Sequence, residues 1–385
     1  VVLLTIYIAI FLMKNKIYTY FFYEFLHYFI IVLFALTSVI WAVQAVNFLD
    51  LVIDDGHAFA VYITYSFLIL PKVITKLIPF SFLIAVILTI LKLEKDNELI
   101  ALWTSGLNKI HIVNLVFRIS IMVMFLQLLM SNLINPETLN YSRSILKDSQ
   151  LQFVPSLLKE RQFNDTVKGL TIFVNKKNID GKYENIFIRD EGKVLTQISS
   201  QGTSTIFAKS GYVSNNEKRL ILLDGNIQRK EINDSINIIK FKKTEIDLSG
   251  LSTKTISEVK IQETSTLDLL NCLINKNLIM HNCSQNKFKD ISIELNKRFG
   301  MPFFIPLIAL VCCFLLTSRQ ENKISFFHKY IYFLLGFIIL VTSEITVRYS
   351  GISFENTIIY YSLPIALLPF VYIFLIRTFK YENLN

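Results

Sequence analysis

Residues 91–115 read LKLEKDNELIALWTSGLNKIHIVNL. Lys92, Glu94, Lys95, Asp96 and Glu98 crowd its first half. A charged side chain at the centre of a bilayer costs about 2.5–3.5 kcal/mol, so this piece does not cross a membrane. It still keeps helical order. Leu99, Leu102 and Trp103 follow Glu98 at one, four and five positions and share a helical face. Gly106 stands where a helix ends in a C′ residue. Long apolar runs flank the stretch on both sides, which makes it a short amphipathic helix held between two membrane spans.

The composition agrees. Of 385 residues 52% are hydrophobic, with 32 Phe and 17 Tyr, and only 18% are charged, against about 25% in a soluble domain. An apolar stretch of about 20 residues spans the hydrocarbon core as a helix. Six qualify, at roughly 25–49, 62–92, 110–134, 299–317, 329–349 and 358–378. The second carries Pro71 and Pro79 and is expected to be kinked or to lie partly at the interface. Lys14 and Lys16, Lys92, Lys95 and Lys109, Arg319, Lys323 and Lys329, and Arg377 and Lys380 all fall on one side of these spans, while Asp50, Asp54 and Asp55 fall on the other. Basic short loops mark the cytoplasmic side, so both termini and residues 91–115 are expected there. The first twelve residues, VVLLTIYIAIFL, are too short to cross and precede Met13 and a basic KNK. They read as an upstream extension, with the chain expected to start at Met13.

Between the third and fourth spans the pattern changes. From Gly169 to Ser249 short apolar and polar residues alternate, as in GLTIFVN, ENIFIRD, STIFAKSGYVS, RLILLDGNIQRK and INIIKFKKTEIDL. Turn signals stand at 180–181, 191–192, 215–216 and 224–225. Short strands with a turn every few residues predict an antiparallel sandwich or jelly roll, joined to the spans by helical connectors at 136–160 and 266–298. The fold class is thus an α-helical membrane protein with six transmembrane helices and an inserted all-β, jelly-roll-like domain.

Covalent chemistry finds no machinery. The chain carries no phosphate-binding loop, no H-E-x-x-H and no G-x-S-x-G, and His27, His57, His111, His281 and His328 make no metal-ligand pair at helical spacing. No cofactor, metal or catalytic residue is expected. Cys312 and Cys313 lie in an apolar run as small hydrophobes, while Cys272 and Cys283 are compatible with a disulfide in an oxidising compartment or with free thiols.

A six-span protein with no nucleotide site and a polar helix in its first cytoplasmic loop fits the permease half of an ATP-driven transporter. LEKDNELIALWTSGL, residues 93–107, with Asp96, Glu98, Ala101 and Gly106 in register, resembles the lipopolysaccharide export permease family LptF/LptG, once called YjgP/YjgQ. KGLTIFVNKKNIDGKYENIFIRDEG at 168–192 is similar to the family's periplasmic strand pattern, and ELNKRFGMPFFIPLIAL at 294–310 to its entry into the fourth span, with a lean towards LptF. The resemblance implies a multi-pass protein of the bacterial inner membrane. It pairs with a paralogous permease, LptG or LptF, as a heterodimer on a cytoplasmic LptB ATPase dimer, with LptC and periplasmic LptA as further partners and lipopolysaccharide as substrate. It also implies the division of the chain: residues 13–134 as spans one to three with a coupling helix at 96–106, 135–298 as a periplasmic β-jelly-roll domain with its connectors, and 299–385 as spans four to six. Glu98 matches the family's acidic coupling residue, Leu99, Leu102 and Trp103 would supply the apolar footing on the ATPase, and Gly106 would end the helix.

Charges within spans usually mark a pathway or an interface. Lys72 and Lys76 lie one helical turn apart near the outer end of span two, and either pair with lipid phosphates or snorkel to headgroups. Arg143 and Lys147, Lys297 and Arg298, and Arg348 stand at the same level and are expected to ring a vestibule, with Glu344 and Arg348 at the spacing that lets them satisfy each other. The competing readings are an envelope scaffold whose β domain recruits partners, and a mechanotransmission protein that moves no lipid.

Overall fold

The computed structural model describes residues 16–53, 58–148, 158, 160–167, 169–178, 182–191, 203–214, 219–230, 236–247, 260–274, 283, 287–317 and 324–382. The expected extension at 1–12, Arg319 and Lys323, the end of the first connector, and the turns expected at 180–181 and 215–216 lie outside these residues.

Apart from a single turn at Asp50–Ile53, the described α-helices are α1 (Lys16–Asn47), α2 (Phe59–Leu68), α3 (Leu70–Lys95), α4 (Glu98–Thr104), α5 (Lys109–Leu129), α6 (Asn135–Asp148), α7 (Thr266–Ile274), α8 (Phe288–Gly300), α9 (Phe304–Cys312), α10 (Ile324–Ser350) and α11 (Phe354–Glu382). Among the described residues six stretches are long and apolar enough to cross a membrane: Lys16–Asn47, Phe59–Lys95, Lys109–Leu146, Phe288–Thr317, Lys329–Ser350 and Phe354–Lys380. The second is broken at Ile69. Pro71 opens α3, where its missing N–H is no loss, and the helix before it stops. Pro79 is absorbed within α3, in its buried part. The third passes through a π turn, Met130–Ile134, into α6.

By contacts the chain forms two compact units, one from residues 16–42, 69–139 and 260–382, the other from 43–68 and 140–247. The first is helical. Its core joins Phe22 and Phe25 of α1, Phe82 and Ile90 of α3, Ile112 and Leu115 of α5, Ile308 and Leu310 of α9, and Phe379 of α11. Every residue of α9 is buried, which makes it the central helix of this unit. On α1, by contrast, Ile30, Ile31, Phe34 and Val39 are exposed, the surface a bilayer solvates.

The second unit carries six antiparallel strands: β1 (Phe163–Val167), β2 (Leu170–Lys177), β3 (Lys182–Asp190), β4 (Ser204–Val213), β5 (Arg219–Lys230) and β6 (Ile236–Asp247). Each pairs with its neighbour in the chain, in the order β1-β2-β3-β4-β5-β6. Among the described strands there is one meander sheet, without the crossover between two sheets by which a sandwich or jelly roll closes. Short connections favour pairing between successive strands. One face buries Leu170, Ile172, Val174, Ile186, Ile188, Ile206 and Ala208. The opposite face carries a cross-strand row, Phe163 opposite Phe173, Phe173 opposite Phe187 and Phe187 opposite Phe207, with ring centroids 4.7 Å apart in the first pair and 5.2 Å in the last. Asp224 and Gly225, expected to turn the chain, lie inside β5 instead: Asp224 takes φ 47° without reversing the strand. A β-carbon at Gly225 would strike the Phe207 carbonyl and the Phe241 ring, so only glycine fits between β4 and β6 here.

Candidate functional site

Two places in the helical unit gather the residues singled out from the sequence. The first is α4. Asn97, with φ 58°, turns the chain out of α3, and α4 begins at Glu98. At its other end the Gly106 N–H donates to the Trp103 carbonyl at 3.1 Å and the Leu107 N–H to the Leu102 carbonyl at 3.2 Å, with Gly106 at φ +85°. These are the two bonds of a Schellman motif, so Gly106 is the C′ residue that the sequence implies.

The apolar side of α4 faces its own bundle. Leu99 is buried, and Leu102 and Trp103 are half-buried against the helical core. The Lys109 ammonium lies 5.8 Å from the Trp103 ring centre and 5.6 Å from that of Phe379, a cation–π arrangement that covers the indole. A helix this short is marginal in water, and within this chain its apolar side holds it in place. What α4 leaves at the surface is Ile100, 48% exposed, with Ala101, Thr104 and Ser105. Glu98 is half-buried in the first turn, and its carboxylate accepts a hydrogen bond from the Tyr20 hydroxyl at 3.0 Å. One turn further along α1, Glu24 pairs with Lys92 at 2.7 Å, and Glu94 pairs with Lys329 of α10 at 2.9 Å. The end of α3 and the start of α4 are therefore tied to α1 and α10. Tyr20 and Glu24 escaped the sequence reading, because nothing in α1's own pattern announces a partner 78 residues away.

The second place is a cleft of about 310 Å³ lined by α3, α5, the π turn, α8 and α10. Lys72 and Lys76 enter it from α3, and Glu294, Lys297 and Arg298 from α8. Its two carboxylates are already engaged. Glu294 accepts from Arg298 Nε at 3.1 Å, and Glu344 of α10 accepts from Lys297 at 2.7 Å. The expected pairing of Glu344 with Arg348 is thus replaced by one between helices, and Arg348 is exposed. Arg298 is buried at 3% exposure. Beyond Glu294 it donates to the carbonyls of Gln262 and Thr264, both at 3.1 Å, and to the Thr266 hydroxyl at 2.9 Å. Each nitrogen of its fork has a protein acceptor, so Arg298 ties α8 to the segment before α7. Among the described residues Lys72, half-buried, and Lys76, exposed, have no ion-pair partner. Arg143 belongs to the other unit, where it is buried, and the side chain of Lys147 lies outside the described residues.

Two further features come from the structure alone. Gln127 of α5, 4% exposed, lines the cleft, its Nε2 donating to the Thr75 carbonyl at 3.5 Å while its Oε1 has no donor. The signal in the sequence is a lone amide inside IMVMFLQLLM, a polar group in an apolar span. Cys272 of α7 and Cys283 are joined by a disulfide, packed near Leu269, Ile291 and Leu295.

A family model described as lipopolysaccharide export system permease LptF/LptG matches residues 19–378. An uncharacterized protein of Rickettsia prowazekii (strain Madrid E) is 26% identical over 296 residues, which cover 76% of this chain and 79% of that protein.

Proposed function

The chain belongs to the LptF/LptG family of lipopolysaccharide export permeases, and on that premise we propose that it is one permease subunit of an ATP-driven exporter. It extracts lipopolysaccharide from the inner membrane and hands it to a periplasmic bridge. The chain itself supplies no catalytic group; a separate ATPase, LptB in this family, docks on α4, beside a paralogous LptG or LptF, with LptC and LptA completing the path. The observation that carries this reading is α4 itself, capped at its C-terminal end, anchored by Leu99, Leu102 and Trp103, and presenting Glu98 at its start. A carboxylate there complements a basic groove, and the ties of Glu24 to Lys92 and Glu94 to Lys329 supply a route by which movement of α4 reaches α1, α3 and α10. The Cys272–Cys283 disulfide supports an oxidising, periplasmic location for its end of the helical unit, in accord with the placement of Lys and Arg.

The test separates partner binding from local structure. Glu98→Lys is expected to abolish co-purification with the ATPase and to stop export while the permease still folds, because one charge at a helix surface adds little to stability. Tyr20→Phe removes the internal hydrogen bond, keeps the carboxylate and is expected to retain the ATPase. Wild-type co-purification and export in Glu98→Lys would refute the assignment.

A further inference from the structure

We propose that the exposed face of α5 at its α4 end binds the headgroup of an anionic phospholipid. His111, Asn114 and Arg118 supply the donors, and Arg118 supplies the charge. The leaflet is the one on the α4 side, away from the cleft of Lys72 and Lys76, and the ligand is a resident phospholipid of the membrane.

Arg118 is the group that calls for a ligand. It lies inside the apolar span Lys109–Leu146 and is exposed. At 1.5 Å per residue it stands about 13.5 Å along the helix from Lys109, and a charge facing lipid there is expensive without a counter-charge. Among the described residues it has no ion-pair or hydrogen-bond partner. Its neighbours cannot provide a carboxylate: α5 carries no Asp or Glu, and neither does α11 from Pro364 to Lys380. A second copy of the chain offers none either. Towards the α4 side the described carboxylates borne by the spans are Glu24 and Glu94, which Lys92 and Lys329 already take. A lipid phosphate is the anion present at that depth.

Two further donors stand on the same face. His111 and Asn114 come seven and four positions before Arg118, so at 3.6 residues per turn the three fall within an arc of about 60°. His111 is exposed and Asn114 half-buried. Asn114 Oδ1 accepts from the Tyr372 hydroxyl of α11 at 3.0 Å, which fixes the amide and leaves its Nδ2 hydrogens to donate elsewhere. Side chains on an α-helix lean towards its N-terminus. The Arg118 fork therefore reaches back towards Asn114 and His111, which is also the direction of the headgroups.

The donor set selects the ligand. An arginine fork holds a phosphate through two parallel N–H bonds, and one such fork beside an imidazole and an amide suits a singly charged phosphodiester. A zwitterionic lipid adds a cation to that phosphate, and no carboxylate of α5 or of residues 364–380 receives it. Phosphatidylglycerol, with hydroxyls in place of the cation, fits.

The test uses the complete complex in phosphatidylcholine nanodiscs, with phosphatidylglycerol or phosphatidylethanolamine added in steps. Bound lipid is counted by native mass spectrometry of the released complex, beside the unfolding temperature. Wild type is expected to retain phosphatidylglycerol over phosphatidylcholine, and Arg118→Gln to cut that preference by about tenfold. Arg118→Lys should keep part of it, and Tyr372→Phe, which releases Asn114, should lower it by a smaller factor. Lys16→Gln removes one exposed charge at the same end and should leave it unchanged. In pure phosphatidylcholine Arg118→Gln should unfold no earlier than wild type, and added phosphatidylglycerol should raise the wild-type midpoint but not the variant's. Equal preference in wild type and Arg118→Gln overturns the site. Equal loss in Lys16→Gln assigns the effect to diffuse surface charge and overturns it as well, and equal retention of phosphatidylethanolamine overturns the anionic class. Loss of a membrane subunit from the Arg118→Gln complex, with bound lipid unchanged, shows that this face meets a protein and also overturns the proposal.

Discussion

Replacing Arg298 by Ala is the sharpest test of how the cleft is built, because the sequence places this residue among the lipid ligands and the structure gives its fork to the protein. Its side chain is 3% exposed and meets Glu294, itself 17% exposed, the Gln262 and Thr264 carbonyls and the Thr266 hydroxyl. Thr266 in turn donates to the Asn132 carbonyl of the π turn at 2.9 Å, so the tie runs from α8 to α5's continuation. Removing one partner of a buried ion pair costs about 3–5 kcal/mol, since the other charge remains without compensation. Arg298→Ala is therefore expected to lower the unfolding free energy of the detergent-solubilised protein by an amount of that order, read as a lower unfolding midpoint. Arg298→Lys should recover little, because one ammonium cannot reproduce a planar fork reaching four acceptors. Adding Glu294→Gln to Arg298→Ala should recover part, because the orphaned charge is gone. Measurement is by denaturant or heat unfolding followed by tryptophan emission, beside a titration with lipopolysaccharide. An Arg298→Ala protein with a wild-type midpoint and a large loss of lipid affinity would refute the reasoning and return Arg298 to the ligand set.

Two further outcomes follow from the geometry. Gly225→Ala forces a β-carbon into the Phe207 carbonyl and the Phe241 ring; overpacking costs about 1–3 kcal/mol, and limited proteolysis should cut the β unit faster while the helical unit keeps its rate, equal rates counting against the fit. In the detergent-solubilised protein Cys272 and Cys283 should resist a maleimide and react after reduction, and labelling of either without reduction would deny the disulfide.

The candidate site was legible where a pattern is local. The Schellman end at Gly106 follows from glycine's access to positive φ four positions after an apolar pair, and the lone pair of lysines at 72 and 76 follows from helical spacing. Direction of use was not legible. Leu99, Leu102 and Trp103 do share a face, but periodicity states only that they lie together, and whether that face meets a partner or the protein's own core depends on what α5 and α11 bring beside it. The same holds for Glu344, whose nearest opposite charge in sequence, Arg348, loses to Lys297 of a different helix.

By itself the sequence determined six spans, the polar helix between the second and third, and the alternating strands between the third and fourth. Each rests on a property carried within a few successive residues: hydrocarbon length, charge excluded from lipid, and a side-chain period of two. Only the tertiary structure decided the rest. The order of the strands in one meander, the glycine wedged between β4 and β6, the disulfide across residues 272–283, the grip of Tyr20 on Glu98 and the unmet acceptor of Gln127 all depend on groups brought together from distant parts of the chain. Such contacts are set by packing and by the pairing of buried polar groups, and no local period encodes which partner will arrive.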